Sequence, residues 1–482
     1  MCEGGAPPEM EGHKVMREEV FGSDARWVRR TSSKYGKSLR KAVPRDVAAA
    51  WQPPVARANP TDLIFSQDQV RVAELVPLRH ERMSISPFAF YRGAALVMAH
   101  DLSALPTTGI EVQVCGDAHL ANFGFYLSPE RRCVFDINDF DETTRGPWEW
   151  DVARLAASVE VLGRERGLRP NQLEGCVLAA TRSYREAMRR FASMGHLDVW
   201  YAHFDICDLL PQVSDAFAKG KRKKAWKEIA RANGKDAARA TTRLTEVRDG
   251  KLSFVSSPPE IVPLAELADM REDGQEFVDE VEHLVSQVLS RYLQTLPPER
   301  VRLLERYHAI DIARKTAGVD SIGMRCWIIA LEGADERDPL VLQVREATES
   351  VLQRFVGKGA YNNNGQRVAE GQHALQAASD VFLGWTSVVG ADGRTHDYYV
   401  RQLWDGKGAL DLMNIEPAML EHVCGLCGAT LAHAHARTGD RFAIASYLGA
   451  SDIFDQAMLV FSRTYADQNE RDYLDFLERI WH

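Results

Sequence analysis

Hydrophobic and polar positions change their spacing several times along this chain. Residues 62–110, including "SPFAFYRGAALVMAHDLSAL", carry apolar residues at helical spacing. Residues 110–150 read as strand, turn, strand and acidic loop. From "WDVARLAASVEVLGRERG" to about residue 300, apolar residues recur three and four apart, which predicts helix. After 300 the runs shorten. "CWIIALEG", "PLVLQVREA", "VFLGWTSVV" and "HDYYVRQLW" are rich in β-branched and aromatic residues and are bounded by Gly, Asp and Pro. They predict a small antiparallel sheet, with "QRVAEGQHALQAAS" as a helix between its strands. From about 411 the helical pattern returns.

The expected class is therefore α+β, in four parts. A polar and basic arm covers 1–60, and a mainly helical lobe covers 61–300. A small antiparallel β lobe with a Gly-rich turn covers 301–410, and helices over 411–482 pack back on the helical lobe. The basic residues of the arm (Arg29, Arg30, Lys34, Lys37, Arg40, Lys41 and Arg45) read as a solvated strap or as a wall near an anionic site. "KGKRKKAWKEIARANGKDAARATTR" reads as a basic, mostly solvated segment.

Composition narrows the field. A net charge of −9 gives no reason to expect nucleic acid or an anionic membrane as partner. No apolar run reaches the roughly 20 residues that cross a bilayer, so no membrane insertion is expected. The polar, acidic "MCEGGAPPEMEGHK" is unlike a secretory leader. The 8 cysteines are scattered among apolar neighbours, as expected of reduced thiols in the cytoplasm. "CGLC" over 424–427 has no second pair to complete a zinc site and reads as buried structure. His433 and His435 are two apart on a helix and do not face one way, so no metal site is expected there.

The chemistry gathers in "VCGDAHLANFGFY", residues 114–126, and "VFDINDFDETTRGPWEWDVARL" downstream. Asp117 and Asn122 lie five apart between Gly116 and Gly124. Asp136, Asp139, Asp141 and Glu142 crowd seven residues. On a strand Asp139 and Asp141 would share a face, with Phe140 turned into the core. Clustered carboxylates repel unless a cation or basic groups neutralise them, and oxygen-rich clusters suit Mg²⁺. Asn122 can complete such a set, and Asp151 can cap the helix that follows.

The order Gly-Asp-x-His-x-x-x-x-Asn, then Asp-Phe-Asp, then Pro-x-x-x-Asp-Val-Ala resembles the aminoglycoside and choline kinase branch of the protein-kinase-like superfamily. Cys115 stands where that branch commonly has His, and its Asp-to-Asn gap differs by a residue. The resemblance implies that Asp117 orients or deprotonates an acceptor hydroxyl, and that Asn122 and Asp139, with Asp141 beside them, hold Mg²⁺. It also implies that Asp151 braces the loop. His119 would orient the loop or touch substrate. More narrowly, "RMSISPFAFYRGAA", "CGDAHLANFG", "FDINDFDET", "WEWDVARLAAS", "GVDSIGMRC", "LQVREA", "YYVRQLWDGKG" and "LAHAHARTGD" resemble the bacterial domain-of-unknown-function family 2252, over about residues 35–450.

A kinase-like reading needs a second half. Gly318, Ser321 and Gly323 form a turn whose backbone can approach phosphate. It lacks the Lys-Ser/Thr of a Walker loop. Arg345 ends "PLVLQVREA" where the resembled family carries Lys, and Glu349 or Glu370 would be its partner. Lys315 and Lys407 are further phosphate contacts, and Trp404 stands where the family tends to have Arg. Arg92 in "FYRGAA" would pair with a loop carboxylate or with a phosphate. The catalytic and metal loops precede the glycine turn by about two hundred residues, so the implied two-lobe kinase-like fold is circularly permuted. The expectation is an ATP- and Mg²⁺-dependent phosphotransferase acting on an unidentified small-molecule or protein acceptor. Its rivals are a pseudokinase that binds a nucleotide, or nothing, and acts as a binding or regulatory module, an adenylyl-transferring enzyme on the same scaffold, and a metal-dependent hydrolase.

Overall fold

A computed structural model describes residues 25–205, 244–248, 251–403 (apart from 317, 320, 336 and 391) and 410–481. It is an α+β protein with several antiparallel sheets. The chain opens with helices Ala25–Leu39, Pro60–Asp68, Val76–Met83, Pro87–Gly93 and Ala95–Ser103. Strand β1 (Glu111–Val114) then pairs antiparallel with β4 (Thr144–Pro147), with Val114 opposite Thr144. Between them lies the hairpin of β2 (Phe123–Leu127) and β3 (Cys133–Ile137), whose third strand is β5 (Phe204–Asp205). Residues 115–143 are thus tied at both ends by one strand pair.

The largest sheet runs in the order β12-β13-β11-β10-β9-β8. Its strands are β8 (Ile261–Pro263), β9 (His308–Lys315), β10 (Cys326–Glu332), β11 (Pro339–Ala347), β12 (Gly384–Val389) and β13 (Thr395–Gln402). The period of two is plain in β10. Ile328 and Ala330 face one apolar layer with Ala313, Val341 and Phe254. Trp327, Ile329 and Leu331 face the other, with Leu342, Val400 and a helix, Gly274–Tyr292. That helix offers Val281, Val285, Val288 and Tyr292, a spacing that keeps them on one stripe. β10 is buried on both faces, which explains a run with no polar alternation.

Two expectations change. The stretch before 300 is not uniformly helical: β5, β6 (Thr245–Arg248), β7 (Lys251–Phe254) and β8 lie within it. These strands are two to four residues long, too short to show a period against helical neighbours. The boundary expected at 300 also shifts, because β8 and the helix Gly274–Tyr292 pack with the sheet. The C-terminal helices Pro417–Thr438, Arg441–Leu448 and Ile453–Trp481 join the large core that holds the 115–143 segment.

The arm is a strap where it is described. Arg40 Nε donates to Tyr447 O at 2.8 Å, and Arg45 Nη1 donates to Leu448 O at 2.8 Å. Both satisfy carbonyls at the C-terminus of the helix Arg441–Leu448, where cations are favoured. The basic segment 219–243 lies outside the described residues. Cys424 and Cys427 are fully buried, as expected of structural thiols. Among the described residues no helix is long and apolar enough to cross a membrane.

Candidate functional site

A narrow cleft, partly open to solvent, lies between the 115–143 segment and the large sheet. Asp117, Asp139, Asp141 and Glu142 line it from one side, and Met324 and Glu346 from the other. Arg71, from the turn after the helix Pro60–Asp68, and Arg92, from the helix Pro87–Gly93, complete its rim.

One helix, Trp148–Glu165, shapes the loop that carries Asp117. Asp151 accepts from Cys115 N at 2.8 Å and from Gly116 N at 3.0 Å. Arg154 Nε donates to Asp117 Oδ1 at 2.5 Å. Ser158 Oγ accepts from Leu120 N at 3.1 Å. Positions 151, 154 and 158 fall on one helical stripe, and they hold 115, 117 and 120 in the same order. Asp151 lies inside the helix, whose N-cap is Pro147, so it braces the loop and does not cap the helix. Tyr184 and His435 stand behind it. His435 Nε2 is 3.1 Å from Asp151, and its Nδ1 is 2.8 Å from Tyr184 Oη. The loop needs glycine at 116, where φ is +82° and a Cβ would lie 2.2 Å from Glu142 O.

His119 is fully buried, with Nε2 3.6 Å from Asp117 Oδ2, and it does not line the cleft. Asn122 Nδ2 donates to Asp117 O at 2.8 Å, and Asn122 O accepts from Asn138 N at 2.8 Å. Asn122 therefore ties the catalytic-loop candidate to the acidic one.

Asp139 and Asp141 reach the cleft together, but through a turn and not a strand. β3 ends at Ile137, and Asp139 Oδ1 accepts from Asp141 N at 3.2 Å. Phe140 is buried behind them, as alternation predicted. Asp136 points elsewhere: its oxygens accept from Ile137 N and Ala377 N, and burial pushes its carboxyl up to about 6. Glu142 accepts from Val351 N at 2.7 Å, and burial pushes it up to about 7.

Arg345 sits on β11, opposite Tyr399 of β13. Its guanidinium donates to Asp141 and lies 3.9 Å from Asp139. Tyr399 Oη donates to the other oxygen of Asp141 at 2.8 Å. Burial pushes the Asp141 carboxyl up, against the pull of Arg345. The carboxylate partners of Arg345 are thus Asp141 and Asp139, not the expected Glu349 or Glu370. Glu370, on the helix Asn364–Leu375, lines a separate shallow groove beside Trp385.

The glycine turn joins β9 to β10, with φ of +72° at Gly318 and +94° at Gly323. It docks on the N-terminal helices. Val72 N donates to Gly323 O at 2.7 Å, and Arg71 Nη1 donates to Ile322 O at 2.5 Å. Val319 packs with Phe90 and Phe476. Met324 lines the cleft, whereas Gly318, Ser321 and Gly323 do not. Lys315 ends β9, is buried, and is held below its usual range by that burial. Lys407 and Trp404 lie outside the described residues.

The expected ligands Asn122 and Asp139 both offer oxygen, which suits a hard cation, but of the two only Asp139 lines the cleft. Among the described residues no three His, Cys, Asp or Glu side chains converge to hold a metal. Two protein donors fit Mg²⁺, which usually takes its remaining positions from substrate phosphates and water. Sequence reasoning missed Arg154, Ser158 and Arg367. Arg367 Nη1 donates to Thr143 O at 2.6 Å and its Nη2 to Thr348 O at 2.7 Å, which fixes the end of the acidic loop. The 151-154-158 spacing was the available signal for the first two.

Residues 71–479 match the model of domain-of-unknown-function family 2252, described as uncharacterized protein conserved in bacteria, and the chain belongs to this family. No curated protein and no solved structure matches it.

Proposed function

We propose that this chain is an ATP- and Mg²⁺-dependent phosphotransferase of the cytoplasm with a circularly permuted kinase-like fold. The observation that carries the reading is one cleft that gathers Asp117, Asp139 and Asp141 opposite an antiparallel sheet bearing Arg345. Counted from the glycine hairpin, β11 is the third strand, and after the one-turn helix Gln353–Val356 comes the longer helix Asn364–Leu375. Kinases keep their phosphate-contacting Lys on the third strand and its Glu partner on the next helix.

The permutation has its own support. Gln113 N donates to Thr438 Oγ1 at 3.2 Å, and Arg145 Nη1 donates to Thr438 O at 2.9 Å. The end of the helix Pro417–Thr438 therefore abuts β1, the strand that enters the Asp117 loop. An unpermuted kinase runs directly from that helix into that loop.

In this reading Asp117, fixed by Arg154, accepts the proton of the acceptor hydroxyl as its oxygen attacks the γ-phosphorus. The bond to the bridging oxygen breaks, and ADP leaves with the electron pair. Asn122 and Asp139 would hold Mg²⁺, which neutralises charge on the phosphates when bound. Asp141 and Arg345, which now bind each other, would part to admit the nucleotide.

That last contact favours a second reading, a nucleotide-binding pseudokinase or regulatory module in which Arg345 serves the acids and not a phosphate. The deciding experiment is a calorimetric titration with ATP, with and without Mg²⁺, on wild type and Asp139→Asn. Mg²⁺-dependent binding that fails in the variant supports the first reading and justifies an acceptor screen. Binding that ignores both Mg²⁺ and the substitution supports the second. No binding at millimolar ATP sinks the first reading and leaves the fold as a regulatory scaffold.

A further inference from the structure

The helix Pro87–Gly93 ends beside the cleft, and its Arg92 lines the same wall as Asp117. Among the described residues, the guanidinium of Arg92 makes no hydrogen bond and no ion pair, and its Nε is buried. A buried donor without an acceptor is costly, and the outer nitrogens of the guanidinium offer further donors beside it. Such a group in a cleft is a site waiting for an anion.

The acids around it do not fill that role. Asp117 is engaged by Arg154, and Asp141 by Arg345 and Tyr399. Glu142 accepts from Val351 N. Glu346 is held by Arg325 and His396 at 3.1 and 2.7 Å. Asp139 accepts from Asp141 N at 3.2 Å, so each carboxylate of the cleft has a donor, and Arg92 has no acceptor.

Its position is fixed relative to Asp117. Arg154 donates from Nε to Asp117 and from Nη2 to Tyr91 O at 3.0 Å. Tyr91 Oη donates back to Arg154 O at 2.7 Å, and its ring stacks 4.4 Å from the guanidinium. One arginine thus locks Asp117 and the residue preceding Arg92 into a single unit.

We propose that Arg92 is an oxyanion receptor that takes a phosphate group into the cleft beside Asp117. The planar guanidinium matches two phosphate oxygens at once. This inference rests on the phosphotransferase reading only for what carries the phosphate. The terminal phosphate of a nucleotide and a phosphate on the acceptor share the chemistry.

The test is calorimetry on the full chain with sodium pyrophosphate, inorganic phosphate (on the free and the ADP-saturated protein), ATP–Mg²⁺ and AMP, comparing wild type, Arg92→Gln and Arg92→Lys. Thermal unfolding of each variant is followed in parallel. The expected result is a tenfold or greater loss of pyrophosphate affinity in R92Q, a smaller loss in R92K and an unchanged Tm. A parallel loss for ATP but not for AMP assigns the anion to the nucleotide. Unchanged ATP affinity, with weakened phosphate binding to the ADP-saturated protein, assigns it to the acceptor. Wild type that binds pyrophosphate through Arg92 but not ATP keeps the receptor and sinks the phosphotransferase reading. Wild type that binds neither pyrophosphate nor phosphate overturns the receptor. So does an R92Q that binds all four probes as wild type does. A lowered Tm with unchanged anion affinity would make Arg92 a charge balance for the acids, and would equally overturn it.

Discussion

Arg345 donates from the third strand of the hairpin sheet to Asp141, 204 residues earlier in the chain, and so ties the sheet to the acidic loop. Both side chains are largely buried, at 6% and 27% exposure. Breaking a buried pair by removing one partner is costly because a charge is left uncompensated. Replacing both removes that cost.

Arg345→Met should therefore destabilise the fold by about 3–5 kcal/mol. Asp141→Asn in the same chain should recover much of the loss. Urea denaturation of both single variants and the double variant gives the coupling energy directly. Additive losses would show that the two side chains do not depend on each other.

Asp117 is the residue on which turnover hangs in the phosphotransferase reading. Asp117→Asn keeps the shape but cannot take a proton. Once an acceptor is found, it should lower kcat by about 10²–10⁴-fold and leave ATP affinity within a few-fold of wild type. A kcat within tenfold of wild type would remove Asp117 from the chemistry.

The brace along the helix Trp148–Glu165 makes a separate prediction. Ser158→Ala leaves the buried Leu120 N–H without its acceptor, and should cost about 1–3 kcal/mol. Asp151→Asn turns one acceptor oxygen toward Cys115 N or Gly116 N into a donor, and should cost at least as much. Under the proposed function both should lower kcat more than they raise KM, because they move Asp117 without touching substrate. Chemical denaturation and steady-state kinetics read the two effects apart.

What the sequence showed and hid follows the range of each interaction. β10 to β13 were legible because β-branched and aromatic runs between turn residues are a local signal. The strands between 204 and 263 were too short to carry one. Asp117, Asn122 and Asp139 stood out because such side chains in apolar surroundings demand partners. The partners themselves did not. Arg154 in a helix reads as a surface charge until the helix is docked on the loop. The pairing of Arg345 with Asp141 depends on how the sheet meets the acidic loop, which no spacing encodes. Glu349 and Glu370 were the natural local guesses and were the wrong ones for that reason.

His433 is buried, and Nε2 donates to Val199 O at 2.8 Å. Burial lowers its imidazole from 6.5 to about 4, with Arg437, His203 and Arg190 adding repulsion. The folded protein thus binds this proton less readily than the unfolded chain. The contribution to stability is complete above pH 6.5 and is lost as pH falls toward 4. Between pH 7.5 and 4.5 this one group should take away about 2 kcal/mol. Buried carboxylates oppose it: Asp136 and Glu142, raised to about 6 and about 7, favour the fold while protonated and lose that advantage as pH rises. Wild-type stability alone therefore mixes two slopes of opposite sign. His433→Gln isolates one, since Gln keeps a donor for Val199 O and does not titrate. H433Q should be less stable than wild type at pH 7.5, because packing against Phe191 is lost. The gap should narrow by about 2 kcal/mol at pH 4.5, as read by denaturation at each pH. A gap that stays constant would show that His433 titrates alike in the folded and unfolded chains, and that its burial does not hold it neutral.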